Sequence, residues 1–410
     1  MKGRFANATL IACLAGSLCG PTQAAGDEPP VIELGDRPAS LQALLPDGAL
    51  RKRFEHCRVD TATPQSFSIA HRGSPLHLPE HTEQGYREAA RQGAGFIECD
   101  VTFTADRELV CRHSQCDLHT TTDILATPLA NKCSVPPRWN SSRPFKNVRC
   151  CTSDLTLAEF RSLRGKRDGG NRRARNVDEF LAGTPAWQSD PNVDFGTLMT
   201  HRESVRLFDE LGVNMIPELK QAQVRLPFEG DYTRKDFVQQ VINDYRAEGV
   251  SSSRVRVQSF LLDDLRLLLD IAPEFGEGFV YLDGRYSRAT FNVDRATSWR
   301  PTMSALREAG VAFLAPPIWM LITLDDDARI VPSAYALAAR KADLRLLAWS
   351  LERSVDVKDG GGWYYQSIRS AFDDEADQLK VLDVLAGQVG VEGVFSDWPA
   401  TTTWFSHCVL

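Results

Sequence analysis

Phe96-Ile97-Glu98-Cys99-Asp100-Val101 reads as a β-strand whose alternation turns Glu98 and Asp100 to the same side. Two carboxylates on one face of an otherwise apolar run ask for a cation, because unpaired buried charge is costly. Upstream, Ile69-Ala70-His71-Arg72-Gly73 ends an apolar run with a histidine and an arginine. Downstream, Leu109-Val110-Cys111-Arg112-His113 ends another with a second histidine. A divalent metal on carboxylate oxygens, an arginine that grips phosphate oxygens in a planar fork, and two histidines that move protons together suit phosphate ester hydrolysis. Singly, each residue also fits a purely structural role. Their order along the chain, His-Arg, then Glu-x-Asp, then His, carries the reading.

Something must bring these residues together. Apolar, β-rich runs recur at 67–70, 95–101, 213–219, 255–260, 278–282, 311–315, 344–349 and 391–395, and helical patterns fall between them at 83–91, 203–211, 234–248, 261–269, 298–309, 333–341 and 373–386. Strands alternating with helices imply a parallel sheet, and eight such strands predict an α/β fold, a (β/α)₈ TIM barrel. Catalytic groups of such barrels gather at the carboxyl ends of the strands, where His71, Glu98, Asp100, Glu218, Lys220, Trp349 and Asp397 all fall. A doubly wound open sheet would alternate in the same way, but no glycine-rich phosphate loop follows the first strand.

The chain has 410 residues, 43% of them apolar, which is ample for a core, and a formal net charge of −7, which argues against general nucleic-acid binding. Residues 161–175 are a local exception, with seven Lys/Arg side chains and Asp168 as the one acid. That run reads as a solvated loop, or as a surface that draws in an anionic substrate or makes weak contact with lipid. Lys2 and Arg4, the apolar stretch 8–20 and Thr22-Gln23-Ala24 predict an export signal at 1–24, with Leu10-Ile11-Ala12-Cys13 leaving a lipoprotein anchor as the alternative. Residues 25–60 read as a linker or extension and 61–410 as the barrel, with a cysteine-containing insertion at about 114–196 between barrel strands 2 and 3. No later stretch approaches the ~20 apolar residues of a spanning helix. A periplasmic or secreted protein is expected.

Loss of the leader would leave eight cysteines, an even number suited to disulfides in an oxidising compartment, and no Cys-x-x-Cys pair suggests zinc. Those from Cys116 to Cys151 are expected to staple the insertion, and Cys57 and Cys408 to tie the ends of the domain. Cys99 faces away from Glu98 and Asp100 whereas Cys111 shares parity with His113, so joining those two requires a break in the alternation.

Several motifs in order, His71-Arg72-Gly73, Leu78-Pro79-Glu80-His81-Thr82, the run 93–101, His113, Leu155-Thr156-Leu157-Ala158-Glu159-Phe160, Pro217-Glu218-Leu219-Lys220, Gln258-Ser259-Phe260 and Gly393-Val394-Phe395-Ser396-Asp397-Trp398-Pro399, resemble the glycerophosphodiester phosphodiesterase family in its periplasmic or secreted form. The resemblance implies hydrolysis of a small glycerophosphodiester to glycerol 3-phosphate and an alcohol. It also implies a divalent cation, Ca²⁺ or Mg²⁺, on Glu98, Asp100 and Glu218, with His71 and His113 as the acid/base pair and Arg72 and Lys220 on the phosphate. The residues themselves agree, since three carboxylates form a hard oxygen site. Trp349, ending the seventh strand, is expected to line the alcohol pocket. Glu80 is expected either to orient Arg72 or to serve as an ordinary helix-start carboxylate.

The chain departs from the family pattern at His113-Ser114, at Leu118-His119-Thr120-Thr121, and at Trp349-Ser350-Leu351-Glu352, where an acid stands in place of an amide. Substrate choice is therefore expected to differ from plain glycerophosphocholine. Two rivals stand beside this reading. One is a lysophospholipase D or sphingomyelinase D-like phosphodiesterase on the same barrel, which would turn over acylated substrates faster. The other is a non-catalytic surface binding protein, against which the joint presence of two histidines and three acids counts.

Overall fold

The structure, a computed structural model, describes residues 32–58, 62–185, 195–354 and 360–410. The expected leader, 1–24, lies outside the described residues. Six barrel strands are single segments: Gln65–Ala70, Gln258–Ser259, Val280–Leu282, Phe313–Ala315, Arg345–Ala348 and Gly393–Ser396. The second strand comes in two pieces, Ala94–Ile97 and Asp100–Phe103, as does the third, Asn214–Met215 and Glu218–Leu219. All neighbours pair in parallel around the ring. The first piece of strand 2 pairs with both the first and third strands, and its second piece continues along strand 3, so the sheet closes on itself. The expected TIM barrel is the fold.

The break in strand 2 leaves its side-chain alternation intact. The amide of Ile216 donates to Ile97 O (3.0 Å), that of Glu218 to Cys99 O (3.0 Å) and that of Lys220 to Val101 O (3.3 Å). Odd-numbered carbonyls therefore all face strand 3, and Glu98 and Asp100 share a face. Cys99 and Cys111 are nevertheless bonded. Asp100–Phe103 folds against Leu109–Cys111 with Val101 opposite Cys111, which puts the two sulfurs on one side. The break in alternation that the bond requires comes after Cys111, where pairing ends and His113 turns back toward Glu98.

Helices follow the strands at Glu83–Arg91, His201–Glu210, Arg234–Ala247, Asp263–Ile271, Met303–Glu308, Ala334–Lys341 and Asp377–Val384, each overlapping an expected one. The eighth, Pro399–Val409, has no counterpart among the expected helices. Ile69, Phe96, Ile216, Val280, Phe313, Leu347 and Phe395 form a separate buried cluster drawn from strands around the ring, the packed interior of the barrel.

Within 25–60, expected as a linker or extension, the described helices pack against the C-terminal helix. Arg37–Leu44 and Ala49–Glu55 are helices that bury Leu41, Leu45 and Phe54 in the main core, and Phe54 stacks on Trp404 with ring centroids 4.1 Å apart. Cys57 and Cys408 join the two ends as expected. The insertion carries its own small core around Leu118, Ile124, Phe145, Phe160 and Phe180, stapled by Cys116–Cys151 and Cys133–Cys150. Two members of its basic run are ion-paired, Arg164 with Asp123 inside the insertion (2.9 Å) and Arg161 with Glu203 on the barrel helix that follows (2.6 Å).

Candidate active site

A cavity of about 330 Å³ opens at the carboxyl ends of the strands. His71, Arg72, Glu98, His113, Glu218, Lys220 and Trp349 all line it, and Asp100 lies buried beside them. The strand ends thus bring together every residue singled out for chemistry.

Arg72 adopts a left-handed backbone (φ 61°), uncommon for a side chain of this size, and its amide donates to Glu98 Oε2 at 2.9 Å. Its guanidinium donates to Glu80 Oε2 at 3.0 Å and lies 3.7 Å from Asp100 Oδ2. Glu80 therefore does orient Arg72. It also accepts from Arg353 (3.3 Å), which in turn donates to Asp397 Oδ2 (3.0 Å).

Carboxylate oxygens of Glu98, Asp100 and Glu218 lie within 4.8 Å of one another. Gln258 Nε2 donates to Glu98 (2.7 Å), His81 Nε2 meets Asp100 Oδ2 (2.9 Å), and Lys220 Nζ meets Glu218 (2.8 Å), yet Asp100 Oδ1 is buried with no partner. Burial, with Asp100 and Glu218 beside it, pushes the Glu98 carboxyl well above its usual range. Burial raises Glu218 to about 7, against the pull of Lys220 and with the push of Asp100. Burial acts on Asp100 in the same sense, but Lys220 and His81 outweigh it and hold Asp100 well below the usual carboxylate range. The three acids therefore resist joint ionisation by themselves. Their hard oxygen donors and the orphaned Asp100 oxygen fit a divalent cation.

His71 Nδ1 lies 2.5 Å from Asp397 Oδ1, and its Nε2 is 4.0 Å from Glu98 Oε2. Burial pushes His71 down to about 4, with Arg72 adding to the shift and Asp397 opposing it. Asp397 stays ionised: Arg353 and His71 hold its carboxyl low although burial raises it. The His71 ring is thus neutral near pH 7, its Nδ1–H given to Asp397 and its Nε2 lone pair turned toward the cavity. Burial, then Arg72 and Lys220, push His113 well down as well.

Trp349 donates its Nε1–H to Ala315 O (2.7 Å) and packs with Phe260, Tyr286 and Tyr364, all cavity residues. Glu352, the acid noted in the sequence as a change near the pocket, does not line it. Glu352 accepts from Ser396 Oγ (2.7 Å) and from the Asp397 amide (3.0 Å), and so braces the loop that carries Asp397. Sequence reasoning gave no site role to Arg353, His81 or Gln258. Of these, His81 and Gln258 stand inside quoted motifs, while Arg353, four residues beyond Trp349, carries no local signal.

A closed parallel barrel that gathers two histidines, two arginines, a lysine and three crowded acids at its strand ends has the site of a phosphate-ester hydrolase. The chain matches the glycerophosphoryl diester phosphodiesterase family over residues 71–401 and belongs to that family of phosphoric diester hydrolases. It is 40% identical over 245 residues to an extracellular protein of Arthroderma benhamiae, covering 59% of this chain and 98% of that one. It is 42% identical over 105 residues to glycerophosphodiester phosphodiesterase GDPD6 of Arabidopsis thaliana, covering 25% of this chain and 27% of that one. A crystal structure from Silicibacter pomeroyi assigned to the glycerophosphoryl diester phosphodiesterases shares the fold, with a TM-score of 0.53 and 19% identity across 83% of this chain and 92% of that one.

Proposed function

We propose that the protein is a metal-dependent phosphodiesterase, secreted or periplasmic, that cleaves glycerophosphodiesters to glycerol 3-phosphate and an alcohol. The carrying observation is the triad of Glu98, Asp100 and Glu218, with oxygens within 4.8 Å of one another, on a cavity shared with His71, His113, Arg72 and Lys220. In this reading Glu98, Asp100 and Glu218 hold the cation, Ca²⁺ or Mg²⁺, which when bound offsets phosphoryl negative charge. Arg72 and Lys220 bind the phosphate oxygens and orient the diester. His71 and His113 are the acid/base pair: one ring nitrogen takes the proton of the attacking hydroxyl or water, and the other gives a proton to the leaving alcohol oxygen. Asp397 fixes the tautomer of His71, leaving Nε2 for that exchange. Trp349 lines the alcohol pocket.

Four disulfides support an oxidising compartment, and among the described residues no helix is long and apolar enough to cross a membrane. With them goes removal of residues 1–24 as an export leader. The test is release of glycerol 3-phosphate from glycerophosphocholine and related diesters by chelator-treated protein, with Ca²⁺ and Mg²⁺ added back. Release restored by one of them is expected. Silence with both, on deacylated diesters, sinks the reading, and faster turnover of acylated lipids would redirect it to a lysophospholipase D.

A further inference from the structure

Asp168 belongs to the insertion, not to the barrel, yet it lines the catalytic cavity. Its placement is built. The Lys166 ammonium is buried and donates to the carbonyls of Thr120 (2.9 Å), Arg167 (2.6 Å) and Gly169 (2.8 Å), so two of its three bonds clasp the residues on either side of Asp168. The loop around that clasp packs on the small core stapled by Cys116–Cys151 and Cys133–Cys150. Asp168 acts through space on the buried Lys166 ammonium, but among the described residues it makes no ion pair within 4.0 Å.

A carboxylate here works against phosphate binding. The phosphate end of the cavity is supplied by Arg72, Lys220 and Arg353, and an extra negative charge on the same cavity repels the diester unless the substrate carries a positive group to meet it. The remaining wall has the right chemistry for such a group. Phe260, Tyr286 and Tyr364 surround Trp349 with ring centroids 6.0, 6.2 and 6.1 Å from it, and all four line the cavity. Aromatic faces attract an ammonium ion, quaternary ammonium included, and accommodate its methyl or methylene groups.

Resting on the phosphodiesterase reading above, we propose that Asp168 and this aromatic wall select diesters whose alcohol bears a positively charged ammonium group. Asp168 is then a specificity-determining residue delivered to the barrel by the insertion.

The experiment compares kcat/KM for glycerophosphocholine and glycerophosphoethanolamine with that for glycerophosphoglycerol, whose alcohol is neutral, in the wild type, Asp168→Asn and Asp168→Glu, at saturating cation. The wild type is expected to favour both ammonium substrates. Asp168→Asn should cut that cationic-to-neutral ratio by about tenfold, mainly through KM, as for a close charge pair, and Asp168→Glu should retain most of it. The ratio does not depend on how much of a variant is folded. A wild type that favours glycerophosphoglycerol, or a ratio that Asp168→Asn leaves unchanged, overturns the proposal while the phosphodiesterase reading stands. Preference for lysophosphatidylcholine with no response to Asp168 assigns the aromatic wall to acyl chains and overturns it too. A wild type inactive on every diester removes the underlying reading, and the proposal with it.

Discussion

Glu98 and Asp100 stand two positions apart on one strand face, yet their carboxyl groups are pushed in opposite directions, Glu98 well up and Asp100 well down. Burial is common to both, so the difference comes from neighbours: Lys220 and His81 serve Asp100, whereas Asp100 and Glu218 crowd Glu98. Removing one acid should therefore act on the cation and removing a histidine on the chemistry. We expect Glu218→Gln to weaken Ca²⁺ or Mg²⁺ binding by at least about tenfold in calorimetry, since even supporting residues around metal ligands contribute that much. His113→Ala should leave cation affinity in place and lower kcat by about 10²- to 10⁴-fold. Equal loss of cation in both variants would refute the division. Asp397→Asn tests a quieter role. An amide in place of the carboxylate 2.5 Å from His71 Nδ1 can bind either ring tautomer, so kcat should fall by about 10²-fold or more while KM moves little. A loss carried by KM alone would mean that Asp397 shapes the pocket and not the ring.

At the scale of elements, the barrel strands and the insertion face different conditions. Strands are held by a closed ladder, whereas the insertion relies on two disulfides and a small core that contains a misfit, His119. That imidazole is buried, its Nδ1 has no hydrogen-bond partner, and burial, then the cations Arg172, Arg149 and Lys166, push it down to about 4. An unfolded histidine titrates near 6.5, so between pH 6.5 and 4 the unfolded insertion takes up a proton that the folded one refuses. Stability from neutral His119 is therefore complete above pH 6.5 and is lost as pH falls toward 4, by up to about 3 kcal/mol. Limited proteolysis of the insertion should accelerate over that window in the wild type and respond less to pH in His119→Gln. Identical pH responses would sink the assignment. The barrel elements were readable because each repeats a local rule, a short apolar strand and then an amphipathic helix. Pro399–Val409 escaped because Thr401, Thr402 and Thr403 are β-branched and bury polar groups: the hydroxyl of Thr402 meets that of Ser68 at 2.7 Å, and Thr403 donates to Ser68 at 3.1 Å. Its one helical signal was Pro399 in the first turn.

Across the whole molecule, what was legible in the sequence is what a strand end determines by itself. His71, Glu98, Asp100, Glu218 and Lys220 needed only the barrel register to meet. Arg353 and Asp168 needed long-range geometry, a loop beyond the seventh strand and an insertion that brings one residue to the cavity, and no local spacing encodes either. The N-terminal helices carry little local signal for a related reason: Leu41, Leu45 and Phe54 look sparse in a Pro-bearing segment and join the core against the C-terminal helix. That contact joins the two ends of the fold, and Cys57–Cys408 locks it across 351 residues of chain. A crosslink closing so long a loop removes much of the freedom of the unfolded chain, about 6 kcal/mol in the chain-entropy description. The Cys57→Ser/Cys408→Ser double variant should therefore unfold at clearly lower denaturant concentration. Its catalytic cavity, formed at the strand ends without either cysteine, should keep its cation dependence below the transition. If the midpoint does not move, the helices alone secure the ends and the disulfide adds nothing to equilibrium stability. If cation-dependent turnover disappears while the fold persists, closure of the ends reaches the active site, and the barrel register that aligns Ser68 with Val394 is the path to examine.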